Sequence, residues 1–203
     1  MATDHFKKHS YQKGSIDWNF NILFDDQPQV GKAAKKFAQA LDHPGLHAPI
    51  PVQWLHMTIL RVGYTTDYTD AEMAEVAKRL APKLEAMNMP ELVFGSWIIF
   101  GGTPNLIAAP WDKLEAVFAA VMDTMKEVAG AKRCPSPERF IPHMALAYGG
   151  DYDTETKLVQ RLWEAKFKLA PFRANKLSMI KQQQAPPYYR WDVIEEIPIG
   201  QSS

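Results

Sequence analysis

From Ser15 to Phe24 the chain reads SIDWNFNILF, with Trp18, Phe20 and Ile22 alternating with Asp17, Asn19 and Asn21. A period of two puts apolar side chains on one face and polar ones on the other, which predicts a strand. PQVGKAAKKFAQAL (28–41) opens with proline and spaces Val30, Ala34, Phe37, Ala38 and Leu41 in helical rhythm. A Pro/Gly loop, DHPGLHAPIP, leads to the strand-like VQWLHMTILRVG (52–63). TDAEMAEVAKRLAPKLEAM (69–87) has a capping Thr-Asp and acids in its first turn, so it predicts a helix, with Pro82 expected to kink it or end it early. PELVFGSWIIFGG (90–102) predicts a further strand.

The order then recurs. NLIAAP (105–110) is strand-like, and WDKLEAVFAAVMDTMKEVAG (111–130) carries the clearest helical stripe, from Leu114 through Val117, Phe118, Val121, Met122 and Met125 to Val128. A Pro-rich loop precedes the strand FIPHMALAYGG (140–150), the helix TETKLVQRLWEAKF (154–167) and the strand PFRANKLSMIKQ (171–182). A last strand, YYRWDVIEEIPIG (188–200), has no counterpart in the first half. Each half thus reads strand, helix, loop, histidine-bearing strand, helix, strand, with the repeat turning over near residue 102. This predicts an α+β fold of two pseudo-symmetric lobes, each a mostly antiparallel sheet flanked by helices, facing each other across a central cleft. The expected organisation is a loose arm over residues 1–14 and one bilobal domain over 15–203.

The two histidine strands, WLHMTIL and IPHMALAY, carry the candidate chemistry. Strand alternation places Trp54, His56 and Thr58 on one face, and His143 and Ala145 on one face. Arg61 and Tyr148 fall on the opposite faces of their strands, where a surface cation and a packing role are expected. Two facing imidazoles suit in-line chemistry at phosphorus, one taking a proton from the attacking oxygen and the other giving one to the leaving oxygen. Neighbouring hydroxyls and backbone N–H groups can hold the non-bridging oxygens as charge develops. No metal or cofactor is needed for that chemistry. Trp54 is a candidate stacking surface for a base. Tyr188, Tyr189, Arg190 and Trp191 form an aromatic-basic cluster that could close one side of the cleft, with Arg190 on a phosphate. The polar face of the first strand, Asn19 and Asn21, is placed to border the cleft. His43 and His47 lie in a Pro/Gly loop, a poor setting for a metal site.

With His56-Met-Thr-Ile-Leu and Gly63, and Pro142-His143-Met-Ala-Leu-Ala, the chain resembles the 2H phosphoesterase superfamily, and within it the bacterial 2′-5′ RNA ligase-like and cyclic phosphodiesterase branch. The resemblance runs over residues 15 to 199 and includes the closing Tyr-x-x-Trp and Ile-Pro-Ile-Gly strand. It implies two H-x-[ST] strands in two pseudo-symmetric lobes and action on cyclic or 2′-5′ phosphodiesters of nucleotides or RNA ends. It also implies that His56 and His143 are the catalytic pair and Thr58 a phosphate ligand. Ala145 stands where the family has Ser or Thr, and this removes one phosphate hydroxyl. The alternatives left open are a related enzyme acting on a non-nucleotide metabolite and a nucleotide-binding module without turnover.

Composition narrows the partners. Lys plus Arg and Asp plus Glu are 23 each among 203 residues, so a large non-specific nucleic-acid or membrane surface is not expected. A small nucleotide or an RNA-terminal phosphate fits better than long nucleic acid, and a monomer is expected. One cysteine, Cys134, excludes an intrachain disulfide and a Cys-based zinc site. The polar start MATDHFKKHSYQKGS and the lack of a long apolar run lead to an expected cytoplasmic location.

Overall fold

The computed structural model describes residues 4–8, 14–38, 40–42, 46–100, 102–135, 139–149, 155–165 and 171–200. Its elements in chain order are α1 (His5–Lys8), β1 (Ile16–Leu23), α2 (Pro28–Ala38), β2 (His56–Tyr64), α3 (Asp70–Glu85), β3 (Leu92–Phe100), β4 (Thr103–Ala109), α4 (Trp111–Ala129), β5 (His143–Ala145), α5 (Glu155–Glu164), β6 (Pro171–Phe172), β7 (Lys176–Ala185) and β8 (Tyr188–Pro198). A short 3-10 turn, Val52–Trp54, delivers the chain to β2. The α+β expectation therefore stands.

All eight strands join one antiparallel sheet in the order β6-β3-β4-β5-β2-β1-β7-β8. The centre is the pairing of β2 with β5, so the two histidine strands lie side by side. Four strands lie on each side of that junction, and these are the two lobes. They do not coincide with the two halves of the sequence. β3, third strand of the first half, pairs with β4, while β7, the longer part of the third strand predicted for the second half (171–182), pairs with β1. The halves have exchanged their third strands. The outermost strands, β8 and β6, occupy corresponding edges, so the last strand does have a positional counterpart, the two-residue β6 within the predicted strand 171–182.

One face of the sheet is apolar. Trp18, Phe20 and Ile22 of β1, Met57 of β2, Leu106 of β4 and Met144 of β5 are all at most 1% exposed. The two long helices α3 and α4 pack on each other, and α4 lies against β2 and β4. Met73, Val76, Leu80 and Leu84 of α3, and Leu114, Val117, Val121 and Met125 of α4, recur every three or four residues and are fully buried. Thr69 caps α3 through a complete capping box with Glu72. α3 runs through Pro82 and ends at Glu85, because the proline falls in the last turn, where few intrahelical bonds remain to be broken.

Residues 4–8, expected to be loose, form a helical turn docked on the domain. The His5 amide donates to Gly149 O at 2.8 Å, its ring bonds the Tyr189 hydroxyl at 3.0 Å, and it stacks on Tyr148. Tyr148 is buried in that aromatic cluster, as its strand face predicts.

Met57 and Met144 are direct cross-strand partners, the link by which the lobes meet on the apolar face. Met144→Ala leaves a cavity there and is expected to lower stability by about 2–5 kcal/mol. Urea unfolding followed by circular dichroism measures it; a loss under about 1 kcal/mol, on the scale of a volume-conserving swap, would mean that this contact does not hold the lobes together.

Candidate active site

The face opposite the helices carries the polar residues. Directly opposed residues of paired strands share a face, and stepping out from Met57–Met144 by one residue places His56 opposite Ala145 and Thr58 opposite His143. The two histidines are thus diagonal neighbours, with Cβ atoms about 7–8 Å apart or a little less, close enough to bracket one tetrahedral group. The flanking strands extend each row. Asn21 and Ser178 continue the Thr58–His143 row on one side, and Asn105 continues the His56–Ala145 row on the other. The pseudo-twofold that relates Thr58 to Ala145 relates Asn21 to Asn105.

Each imidazole is held in the same way. His56 Nδ1 lies 3.0 Å from Trp54 O, and His143 Nδ1 lies 2.7 Å from Ile141 O. A carbonyl oxygen only accepts, so Nδ1 carries the hydrogen in both rings and Nε2 carries the lone pair. Burial holds His56 far below its ordinary value, at about 4; the Trp54 carbonyl opposes this and the nearby His143 charge adds to it. Burial also lowers His143, against the pull of its bond to Ile141. Desolvation penalises the charged form, so both rings favour neutrality in the free protein, His56 the more strongly.

An aromatic cover explains the burial of His56. The Trp191 ring is 4.9 Å from the His56 ring at 74°, and 4.9 Å from Trp54; Tyr189 is 6.5 Å from His56. The sheet curls enough to bring β8 over β2, although two strands separate them. The expected closure of the cleft by the 188–191 cluster is thus realised by Tyr189 and Trp191. Arg190 is not part of it. It pairs with exposed Gln183 while Trp191 pairs with buried Gln182, so alternation turns Arg190 to the other face.

Arg61 moves in the opposite sense. A β-bulge sets both Ile59 and Leu60 against the stretch Phe20–Asn21, so Thr58 faces Asn21 and Arg61 faces Asn19. Asn19 and Asn21 share a face, and Arg61 therefore rejoins the histidine face instead of leaving it. Its Nε donates to the buried Asp17 carboxylate at 2.9 Å. A second irregularity follows at Gly63, whose φ of 142° suits glycine.

Asn19, Asn21 and Asn105 are at most 1% exposed. Asn105 Nδ2 donates to Thr103 O at 2.6 Å, whereas neither polar atom of the Asn21 amide has a hydrogen-bond partner among the described residues. Asn105 has no distinguishing pattern in TPNLIAAP; only the β4–β5 register reveals it as the neighbour of Ala145. His47 bonds Asp4 at 3.0 Å, and His43 lies outside the described residues. Among the described residues no group of three His, Cys, Asp or Glu gathers as a metal site. Cys134 is half-buried, and burial pushes its thiol up. No described helix is long and apolar enough to cross a membrane.

Residues 27–186 match the family model of the 2′-5′ RNA ligase superfamily. The chain belongs to this superfamily of two-histidine phosphoesterases. Among solved structures it is similar to Escherichia coli LigT complexed with 3′-AMP, at 11% identity and a TM-score of 0.66, over 91% of this chain and 98% of that one. It is similar to TT0787 of Thermus thermophilus at 15% identity and a TM-score of 0.64, over 90% of this chain and 97% of that one. The MHV ns2 PDE domain matches at 13% identity and a TM-score of 0.55, over 88% of this chain and 99% of that one. At these identities the likeness is one of fold. No curated protein sequence matches.

The aromatic cover makes a direct prediction. Trp191→Ala admits water to His56 and is expected to raise its pKa from about 4 toward 6.5, read from ring proton shifts by NMR. In the unaltered protein, unfolded His56 binds a proton below about 6.5 while the folded ring stays neutral down to about 4. The unfolded state therefore gains protons first, and this ring makes the fold less stable as pH falls through that window, with no effect above it. A His56 pKa unmoved by Trp191→Ala would show that the cover is not the source of the desolvation.

Proposed function

We propose that the chain is a phosphodiesterase that opens a cyclic or 2′-5′ phosphodiester of a nucleotide or RNA end by two-histidine acid–base catalysis. The observation that supports it most is the pair of diagonal imidazoles, each with Nδ1 tied to the carbonyl two residues before it and Nε2 left as the nitrogen for proton transfer. His56, the more strongly depressed ring, is the base: its Nε2 takes a proton from the attacking water as the new P–O bond forms. His143 in its protonated form is the acid: it gives its proton to the ester oxygen as the old P–O bond breaks. The negative phosphate raises the His143 pKa on binding and so helps it to hold that proton. The same groups run in reverse form the ester.

Thr58 donates to one non-bridging oxygen. Ala145 has no hydroxyl to donate to the other, and in this reading the Asn105 carboxamide beside it stands in at the bottom of the cleft. An amide N–H donates to a developing charge as a hydroxyl does. Trp54 and Trp191 offer aromatic faces for the base. Ala145 also favours a second reading, in which the cleft has shifted to a non-nucleotide phosphoester, or binds nucleotide without turnover. A screen of cyclic mononucleotides, 2′-5′ dinucleotides and cyclic-phosphate RNA ends separates these: turnover of none by the folded protein favours the second reading.

His56→Ala and His143→Ala are each expected to reduce kcat by about 10²–10⁴. The kcat/KM profile should be bell-shaped and peak on the acid side of neutrality, with its acid limb near 4 set by His56 and its falling limb below 6.5 set by His143. Activity should persist in excess chelator, and full activity in either alanine variant would refute the mechanism. Asn105→Ala is expected to lower kcat by about 10², and adding Ala145→Ser to that variant should recover much of the loss. No recovery would remove Asn105 from the phosphate-holding role.

A further inference from the structure

A cavity of about 380 Å³ opens beside the motif residues, with Thr58 and His143 in its wall. β5 is only three residues long, so beyond His143 the C-terminal part of β2 is paired with β1 on one side and, among the described residues, with no strand on the other. The gap is walled instead by α4 and by the segment leading to β5. Two guanidinium groups line it, Arg61 and Arg139. Phe118 and Phe140, stacked with ring centroids 4.9 Å apart at 9°, give it an apolar side. Among the described residues that line it, none is acidic. The Arg61 guanidinium is anchored at Nε by Asp17, a carboxylate that is itself 1% exposed, shares the histidine face with Asn19 and Asn21 and is not among the residues that line the cavity.

We infer that this cavity is a second anion subsite, which takes a phosphate group other than the one between the histidines, so that the preferred substrate carries at least two phosphates. The inference rests on the phosphoesterase reading and sharpens its substrate class, from a cyclic mononucleotide to a dinucleotide, an oligonucleotide end or a nucleotide bearing an additional phosphate. Guanidinium groups bind phosphate through paired N–H donors and keep their charge at every working pH. Two of them in one cavity of a chain with no net charge are a local feature, not the fringe of a basic surface. The volume suits a single phosphorylated unit, and the stacked phenylalanines suit the sugar or base that joins the two phosphates. The β2 bulge is what makes the subsite, since without it Arg61 would point into the helix side of the sheet.

Calorimetric titration with 3′-AMP and with adenosine 3′,5′-bisphosphate tests this directly. The unaltered protein is expected to bind the bisphosphate about tenfold more tightly or better. Arg139→Ala, at an exposed position outside any helix or strand, should close most of that gap and leave 3′-AMP binding unchanged. Arg61→Lys, which keeps the charge but loses the planar fork, should narrow it. Equal binding of the two ligands, or a gap that Arg139→Ala leaves intact, overturns the second subsite while the phosphoesterase reading stands. Binding of neither ligand, together with no turnover in the substrate screen, overturns that reading and this inference with it.

Discussion

Everything in the site depends on one short antiparallel contact, β2 against β5. It joins the two lobes into a single sheet, and on the apolar side it presses Met57 against Met144 in the shared core. On the polar side the same register sets His56 against Ala145 and Thr58 against His143. A slip of β5 by one residue against β2 would turn His143 into the core and Met144 out of it. The packing of two methionines under α4 and the spacing of two imidazoles are therefore one constraint seen from opposite faces of the sheet. The spacing of the two histidines needs no loop to hold it, because it is set by the pairing of the two central strands.

Electrostatics follow from that placement. The rings are taken out of water by their position and by the Trp54–Trp191 cover, and the same bonds that orient them also limit how far their pKa values fall. The two sides of the cleft are alike in layout but not in chemistry. One has a hydroxyl and an amide with no partner among the described residues, Thr58 and Asn21; the other has a methyl and an amide bonded to Thr103, Ala145 and Asn105. Under the proposed reaction such a difference is useful, since the attacking and leaving oxygens of an asymmetric ester need different treatment.

Much of this was legible in the chain. Alternation marks β1, an apolar strand-like run marks β2, the three-to-four spacing marks α3 and α4, and the repeated His-Met in apolar strands marks both imidazoles and the resemblance that goes with them. What stayed hidden has a common cause. Arg61 lies on the face opposite to the one that alternation predicts because a bulge interrupts the period of two, and a bulge depends on the partner strand. Arg190 is a sequence neighbour of the residues that cover the cleft, whereas its face is fixed by pairing with Gln183. Asn105 could be found only after β4 was set beside β5. The pairing of β3 with β4 and of β7 with β1 was invisible because a repeat in sequence says nothing about which copy supplies which strand. Local rhythm decides the elements, and tertiary register decides what stands beside what.

The exchange of third strands between the halves reaches beyond the site. β1 waits for β7, which is made more than 150 residues later. A chain emerging from the ribosome thus presents the open edge of β1 until β7 has been made, and the first half cannot close its own sheet. Such long-range pairing slows folding, since distant segments must meet before their contacts reward them. It also makes the two lobes inseparable at the level of the gene. A cut near residue 102 would give each product strands that belong to the other, so the repeat cannot be dissected into two independent units however similar its halves look.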